Sequence, residues 1–316
     1  MNLYGVVFLC IATIAWGGMF PAAKIALASL DPITITSVRY LAVTFFLAPL
    51  VHFANGQTKW GWSGIAGAVL GGVIGIAGFN VLMLYGLQHT TPERAAVVMA
   101  LLPLTTGILS WIVGEGRLSL ADIASLVVAS LGVALLVSHG NWLAFDPGPR
   151  GGGDFWVVTG MVCWAGYTLI TERVRGLTAA QYTFVATAAG SGVLTLYLII
   201  SWSLGLQQVP GFTAIQEATW PLAYMVSIGG VVAILAWSQG VRLVGSLNAA
   251  LFINLIPITA FVIGVFQGHS ILDTDLLGGA LVIASLITHN YSRRSNLALA
   301  QPDGGSNALR KYQDNQ

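Results

Sequence analysis

The chain is 316 residues long, 56% hydrophobic and only 8% charged, with a mean hydropathy of +0.79. Soluble domains carry roughly 25% charged residues, so an ordinary soluble domain is excluded. A net charge of +1 leaves no electrostatic footprint for nucleic acid, and two cysteines in apolar runs, Cys10 and Cys163, supply neither a disulfide framework nor a metal site.

Successive apolar runs of about 18–25 residues match the ~30 Å hydrocarbon core of a bilayer, so the chain reads as an all-α polytopic membrane protein. The first span is placed at 3–27 and contains "WGGMFPAAK" at 16–24. There Pro21 is expected to bend the helix, and Lys24 brings a charge into a membrane-length run. "ALA" at 26–28 is not read as a signal-peptidase site, because the run is too long and lacks a basic leader. Spans follow at 34–54, 61–86, 91–113 and 119–138. After a glycine-rich connection, five more lie at 155–173, 178–204, 217–240, 246–267 and 274–291. The polar tail, 292–316, is expected to be disordered and cytoplasmic.

With the N-terminus inside, nine basic residues fall on the inner side: Lys59, Arg117, Arg173, Arg175, Arg242, Arg293, Arg294, Arg310 and Lys311. Lys24, Arg39, Arg94 and Arg150 fall at or near the outer side. This bias places both termini in the cytoplasm.

The two sets of five spans resemble each other. "CIATIAWGGMFPAAK" aligns with "GMVCWAGYTLITE", setting Trp16 on Trp164 and Lys24 on Glu172. "GLQHTTPERAAVVMALLPLT" aligns with "GVRLVGSLNAALFINLIPIT", setting Gly86 on Gly240, Ala95-Ala96 on Ala249-Ala250 and Pro103 on Pro257. Five is odd, so the second copy inserts upside down. The fold expected is ten transmembrane helices as two inverted five-helix repeats, 1–139 and 155–291, joined by an outer loop at 140–154.

The Trp-Gly-x-x-Phe-x-x-x-Lys string of span 1, Arg39 in "DPITITSVRY", the "Ala-Ala…Leu-x-Pro" pattern of spans 4 and 9, and "GE" at 114–115 together resemble the EamA family of the drug/metabolite transporter superfamily. The resemblance covers residues 3–291. It implies a ten-helix transporter, commonly an exporter of amino acids or other small metabolites, in a bacterial inner membrane. The second repeat departs from the first: Glu172 replaces the lysine, Thr187 stands near the arginine position and His269 replaces Glu115.

Transport needs polar or aromatic faces turned away from lipid. Trp16, Phe20 and Lys24 are four residues apart and share a helical face, as do Trp164, Thr168 and Glu172. Two readings fit these stripes: a pathway lining, or interfacial anchors with snorkelling charges. Glu172, followed by Arg173 and Arg175, reads as an inner-boundary charge. Arg39 suits a substrate carboxylate through a bidentate pair, or a structural pair with Asp31 or a helix C-terminal carbonyl. Asn80, Trp237, Gln239 and Asn254 are candidate pathway groups, as are Tyr85 and Tyr167, which suit an aromatic belt equally. Gly67, Gly71 and Gly75, and Ala186 with Gly190, read as packing faces.

No carboxylate falls mid-span, so a central proton relay is not indicated. No catalytic residue, metal site or cofactor is assigned. An intramembrane serine hydrolase at "GWSG" (61–64) lacks a mid-span histidine base, and a non-transporting scaffold or receptor is the other alternative. The expected partners are the lipid bilayer and a small zwitterionic or anionic metabolite, amino acids included. Oligomeric state, substrate identity and direction are left open.

Overall fold

The computed structural model describes residues 2–54, 61–99, 101–114, 151–244, 255–268 and 272–300, with isolated positions between 120 and 135 and at 252–253. The described residues are helical and contain no strand. Most of the expected fifth span, the 139–150 connection and residues 301–316 lie outside them.

Local chemistry sets the helix starts. α1 (Leu3–Ala26) begins at Asn2, whose side chain accepts the Tyr4 N–H at 3.0 Å. The helix runs unbroken through the buried Pro21, so the expected bend does not interrupt it. α2 (Pro32–Ala54) begins at Asp31. That carboxylate accepts the N–H groups of Ile33 and Thr34 at 2.9 and 3.0 Å and the Thr34 hydroxyl at 2.5 Å.

The third span is continuous but not uniform: α3 (Trp62–Gly71), a π-helical segment Gly72–Gly78, then α4 (Phe79–Gln88). The fourth, expected as one helix over 91–113, is two: α5 (Pro92–Met99) and α6 (Leu102–Ile112). The break precedes Pro103, which has no N–H to return to the Met99 carbonyl. α7 (Gly151–Arg173) starts four residues before its expected position, and α8 (Ala179–Ser203) is opened by a capping box between Thr178 and Gln181.

The eighth span repeats the pattern of the third: α9 (Phe212–Val226), a π segment Ser227–Val232, then α10 (Ala233–Val244). α11 (Leu255–Phe266) and α12 (Asp273–Ala300) are the last of the described helices. Helix continues past Tyr291 to Ala300, and the rest of the expected tail, 301–316, lies outside the described residues. "SNLALA" is rich in helix formers, and no proline intervenes before Pro302. Five of the described helical spans are long and apolar enough to cross a membrane.

Packing crosses between the first and second sets of helices. α1 packs on α10 and α11, α4 and α6 pack on α7, and α2 packs on α8. Absent side chains permit these approaches. A Cβ on Gly72 would overlap the Ala186 backbone, and one on Gly190 would lie 2.6 Å from the Gly72 carbonyl oxygen. Gly67, Gly71 and Gly75 face Val174, Tyr182 and Tyr167, so the glycine ladder is a packing seam.

Candidate functional site

The second turn of α2 carries Arg39 into the interior, where it is 6% exposed. Its Nη1 donates to Asn80 Oδ1 at 3.2 Å, and its Nη2 lies 3.8 Å from the Met19 sulfur. Among the described residues, Nε has no hydrogen-bond partner. The guanidinium carbon sits 4.7 Å from the centre of the Tyr40 ring. No carboxylate among the described residues pairs with Arg39, and Asp31 is engaged at the start of α2. A buried cation without a counter-charge is costly.

Asn80, at the start of α4, joins three elements. Its Oδ1 accepts from Arg39 and, at 3.3 Å, from the Tyr40 hydroxyl. Its amide nitrogen donates to the carbonyls of Ile76 at 2.9 Å and Gly75 at 3.5 Å, both in the π segment. Beside it runs a row of rings. Phe79 to Trp164, Trp164 to Tyr167 and Tyr167 to Tyr182 have centroid separations of 4.9, 5.1 and 5.6 Å. The second π segment has its own side-chain donor: Trp16 Nε1 reaches the Gly229 carbonyl at 3.1 Å, with its ring 5.2 Å from that of Trp237.

The structure thus brings together Arg39 with Asn80, Trp164 with Tyr167, and Trp16 with Trp237. It separates the stripe expected on α1. Phe20 is buried in an apolar cluster with Phe79, Met83 and Met225. Lys24 turns its ammonium to the end of α4, donating to the carbonyls of Leu87, Gln88 and Thr90 at 2.5, 3.1 and 2.8 Å. A cation on helix C-terminal carbonyls is a favourable cap. Thr168 donates to the Trp164 carbonyl of its own helix at 3.0 Å. Tyr85 is 42% exposed and stands edge-on to Trp156, and Gln239 is exposed. Asn254 and the Glu172 side chain lie outside what is described.

Lys24→Met is expected to lower stability by about 1.5–3 kcal/mol, since each of these bonds involves a charged donor. Thermal melting in detergent would read that loss. KM for a transported solute is expected to change by less than threefold.

Two groups escaped the sequence reading. Tyr40 was one of many aromatics and became significant only through Asn80. Arg94 and Asp154, at either edge of an assigned span, form a buried ion pair at 2.7 Å, with side chains 5% and 6% exposed. Thr90 donates its hydroxyl to the other Asp154 oxygen at 2.7 Å. The "GGGD" string was the available signal, because three small residues before an acid permit the close approach of Gly153 to Gly86.

Comparison with known proteins follows the same outline. The EamA-like transporter family matches residues 3–138 and 151–291. The uncharacterized transporter YrdR of Bacillus subtilis is 27% identical over 92% of each chain. A protein of Streptantibioticus cattleyicolor named "Probable terminal-alkyne amino-acid exporter" is 25% identical over 89% of this chain and 92% of its own. The uncharacterized inner membrane transporter YedA of Escherichia coli is 25% identical over 86% of this chain and 85% of its own. A crystal structure aligns with a TM-score of 0.63 at 16% identity, covering 92% of this chain and 98% of that one, a likeness of fold alone.

Proposed function

Because the chain belongs to the EamA-like transporter family, an integral membrane family of transporters, we propose that it moves a small carboxylate-bearing metabolite by alternating access, as an exporter of amino acids or related compounds. The observation that carries this reading is Arg39, a buried guanidinium held by a neutral amide with no carboxylate partner among the described residues. A solute carboxylate supplies the missing charge through a two-bond pair.

The ten-span inverted repeat belongs to the same proposal. Offsetting residue numbers by 154, as the Gly86–Gly240 pairing does, places 73–78 of the first π segment on Ser227–Val232, the second. The crossed packing of α1 on α10 and α11, and of α7 on α4 and α6, is what an exchange of the two halves would produce. The family also matches twice. The distribution of basic loop residues supports cytoplasmic termini, and the likeness to YedA supports an inner-membrane location.

The test is reconstitution into liposomes with labelled amino acids, nucleosides and cationic drugs. Substrate-dependent flux of at least one amino acid is expected, with none of the nucleosides or cationic drugs carried. Flux confined to the cationic drugs would overturn the anion reading. Absence of all flux would favour a non-transporting membrane protein.

A further inference from the structure

We propose that Asn80 is a positioning residue that holds Arg39 without neutralising it, and thereby makes the site prefer a solute with a free carboxylate over the same solute as its carboxamide. The proposal rests on the anion-site reading above. Its test separates binding from transport.

A buried arginine is ordinarily met by an aspartate or glutamate. Here the position is filled by the neutral isostere of aspartate, and the surrounding atoms dictate which isostere fits. Arg39 and the Tyr40 hydroxyl both approach one terminal atom of residue 80, at 3.2 and 3.3 Å. A guanidinium can only donate, so that atom is the oxygen. Two backbone carbonyls of the π segment approach the other, at 2.9 and 3.5 Å. Carbonyls only accept, so that atom is the NH2 group. An aspartate would aim its second oxygen at the Ile76 carbonyl, where the two would repel. The π segment therefore selects an amide at position 80, and the amide adds no negative charge beside Arg39, which has no carboxylate partner among the described residues.

The geometry also fixes which edge of Arg39 is left without a strong acceptor among the described residues. Nη1 is taken by Asn80. Among the described residues, Nε has no partner and Nη2 has only the Met19 thioether, a weak acceptor, at 3.8 Å. Nε and Nη2 form the side fork of the guanidinium, and a carboxylate accepts from both at once. A carboxamide offers one oxygen, and its NH2 group would face a second donor. Two bonds between opposite charges against one bond to a neutral oxygen give an expected preference of roughly 10- to 100-fold.

The probes are acetate and acetamide, and also each amino acid carried by the native protein together with its carboxamide. Binding is read as the shift in melting of the purified protein, and transport as counterflow in liposomes. The native protein is expected to be stabilised by the carboxylates and not by the amides. Arg39→Gln and Asn80→Asp are expected to bring the carboxylate-to-amide ratio close to one. Asn80→Ala is expected to weaken both ligands while keeping the ratio above one, because Arg39 remains uncompensated.

A purely structural Asn80 would weaken both ligands equally in all its variants, leaving the ratio where it was. An unchanged ratio in Asn80→Asp or Arg39→Gln overturns the proposal. Should Asn80→Asp fail to fold, a ratio lost in Asn80→Ala or kept in Arg39→Gln overturns it. Carboxylate-selective melting without counterflow would sink the transporter reading and leave this one standing.

Discussion

Replacing Asp154 with alanine is expected to destabilise the protein by about 3–5 kcal/mol, the largest stability effect of any single change considered. Both carboxylate oxygens are in use, Oδ2 by Arg94 and Oδ1 by Thr90, each at 2.7 Å, in a place with almost no solvent. Truncation removes the counter-charge and leaves the Arg94 guanidinium buried without its carboxylate. The consequence extends beyond the pair, because Thr90 also supplies a carbonyl to Lys24. The end of α4, the start of α7 and the end of α1 are thus joined through one residue. Asp154→Asn keeps an acceptor for Thr90 and should lose less. Removing both charges together, as Asp154→Leu with Arg94→Leu, should cost less than the sum of the single changes. Unfolding in mixed micelles, followed by tryptophan fluorescence, checks all three. A loss below 1 kcal/mol for the alanine variant would show that the pair adds little.

Arg39→Gln is expected to behave in the opposite manner: transport falls by roughly 100-fold or more in kcat/KM, while stability changes by less than about 1 kcal/mol or rises. The asymmetry has a simple cause. Arg94 is paired with Asp154, so removing that carboxylate takes away its counter-charge; Arg39 has no carboxylate partner among the described residues, so removing it relieves a charge. Glutamine retains a polar end near Asn80 but offers neither positive charge nor fork. Arg39→Lys keeps the charge and loses the fork, and should fall between the two. Flux in liposomes and melting of the same preparations are the paired measurements. Equal loss of folding and flux would make Arg39 a structural residue.

The contrast between these two arginines marks the limit of what was legible in the chain. Both read alike, as single basic residues near the outer end of a span. Apolar length and turn residues located the five long apolar helices described, since those depend on local composition alone. Asn80 and Arg39 were each identifiable as polar groups in apolar runs, but forty-one residues separate them, and nothing in either segment announces the contact. Asp31, eight residues before Arg39, was the nearer partner in sequence, yet it belongs to the backbone of its own helix start. Lys24 was legible as an anomaly and not as a cap, because its acceptors are carbonyls, and every residue has one. The split of the fourth span follows from Pro103. By contrast, no residue type in "GVIGIAG" specifies a π turn over an α turn.

That π segment has a geometric result of its own. A residue added to an α-helix advances the thread by about 100° and 1.5 Å, and a π turn closes on the fifth residue instead of the fourth. The third span is therefore two screws on one axis, out of phase by roughly a quarter turn. The lower thread keeps Gly67 and Gly71 on the seam with Val174 and Tyr182. The upper thread sets Gly86 against Gly153 and swings Asn80 round to Arg39. A face traced from one end of the span to the other at a constant pitch crosses from one neighbour to another without any sign in the letters. Asn80, which meets Arg39, lies just beyond the break in pitch.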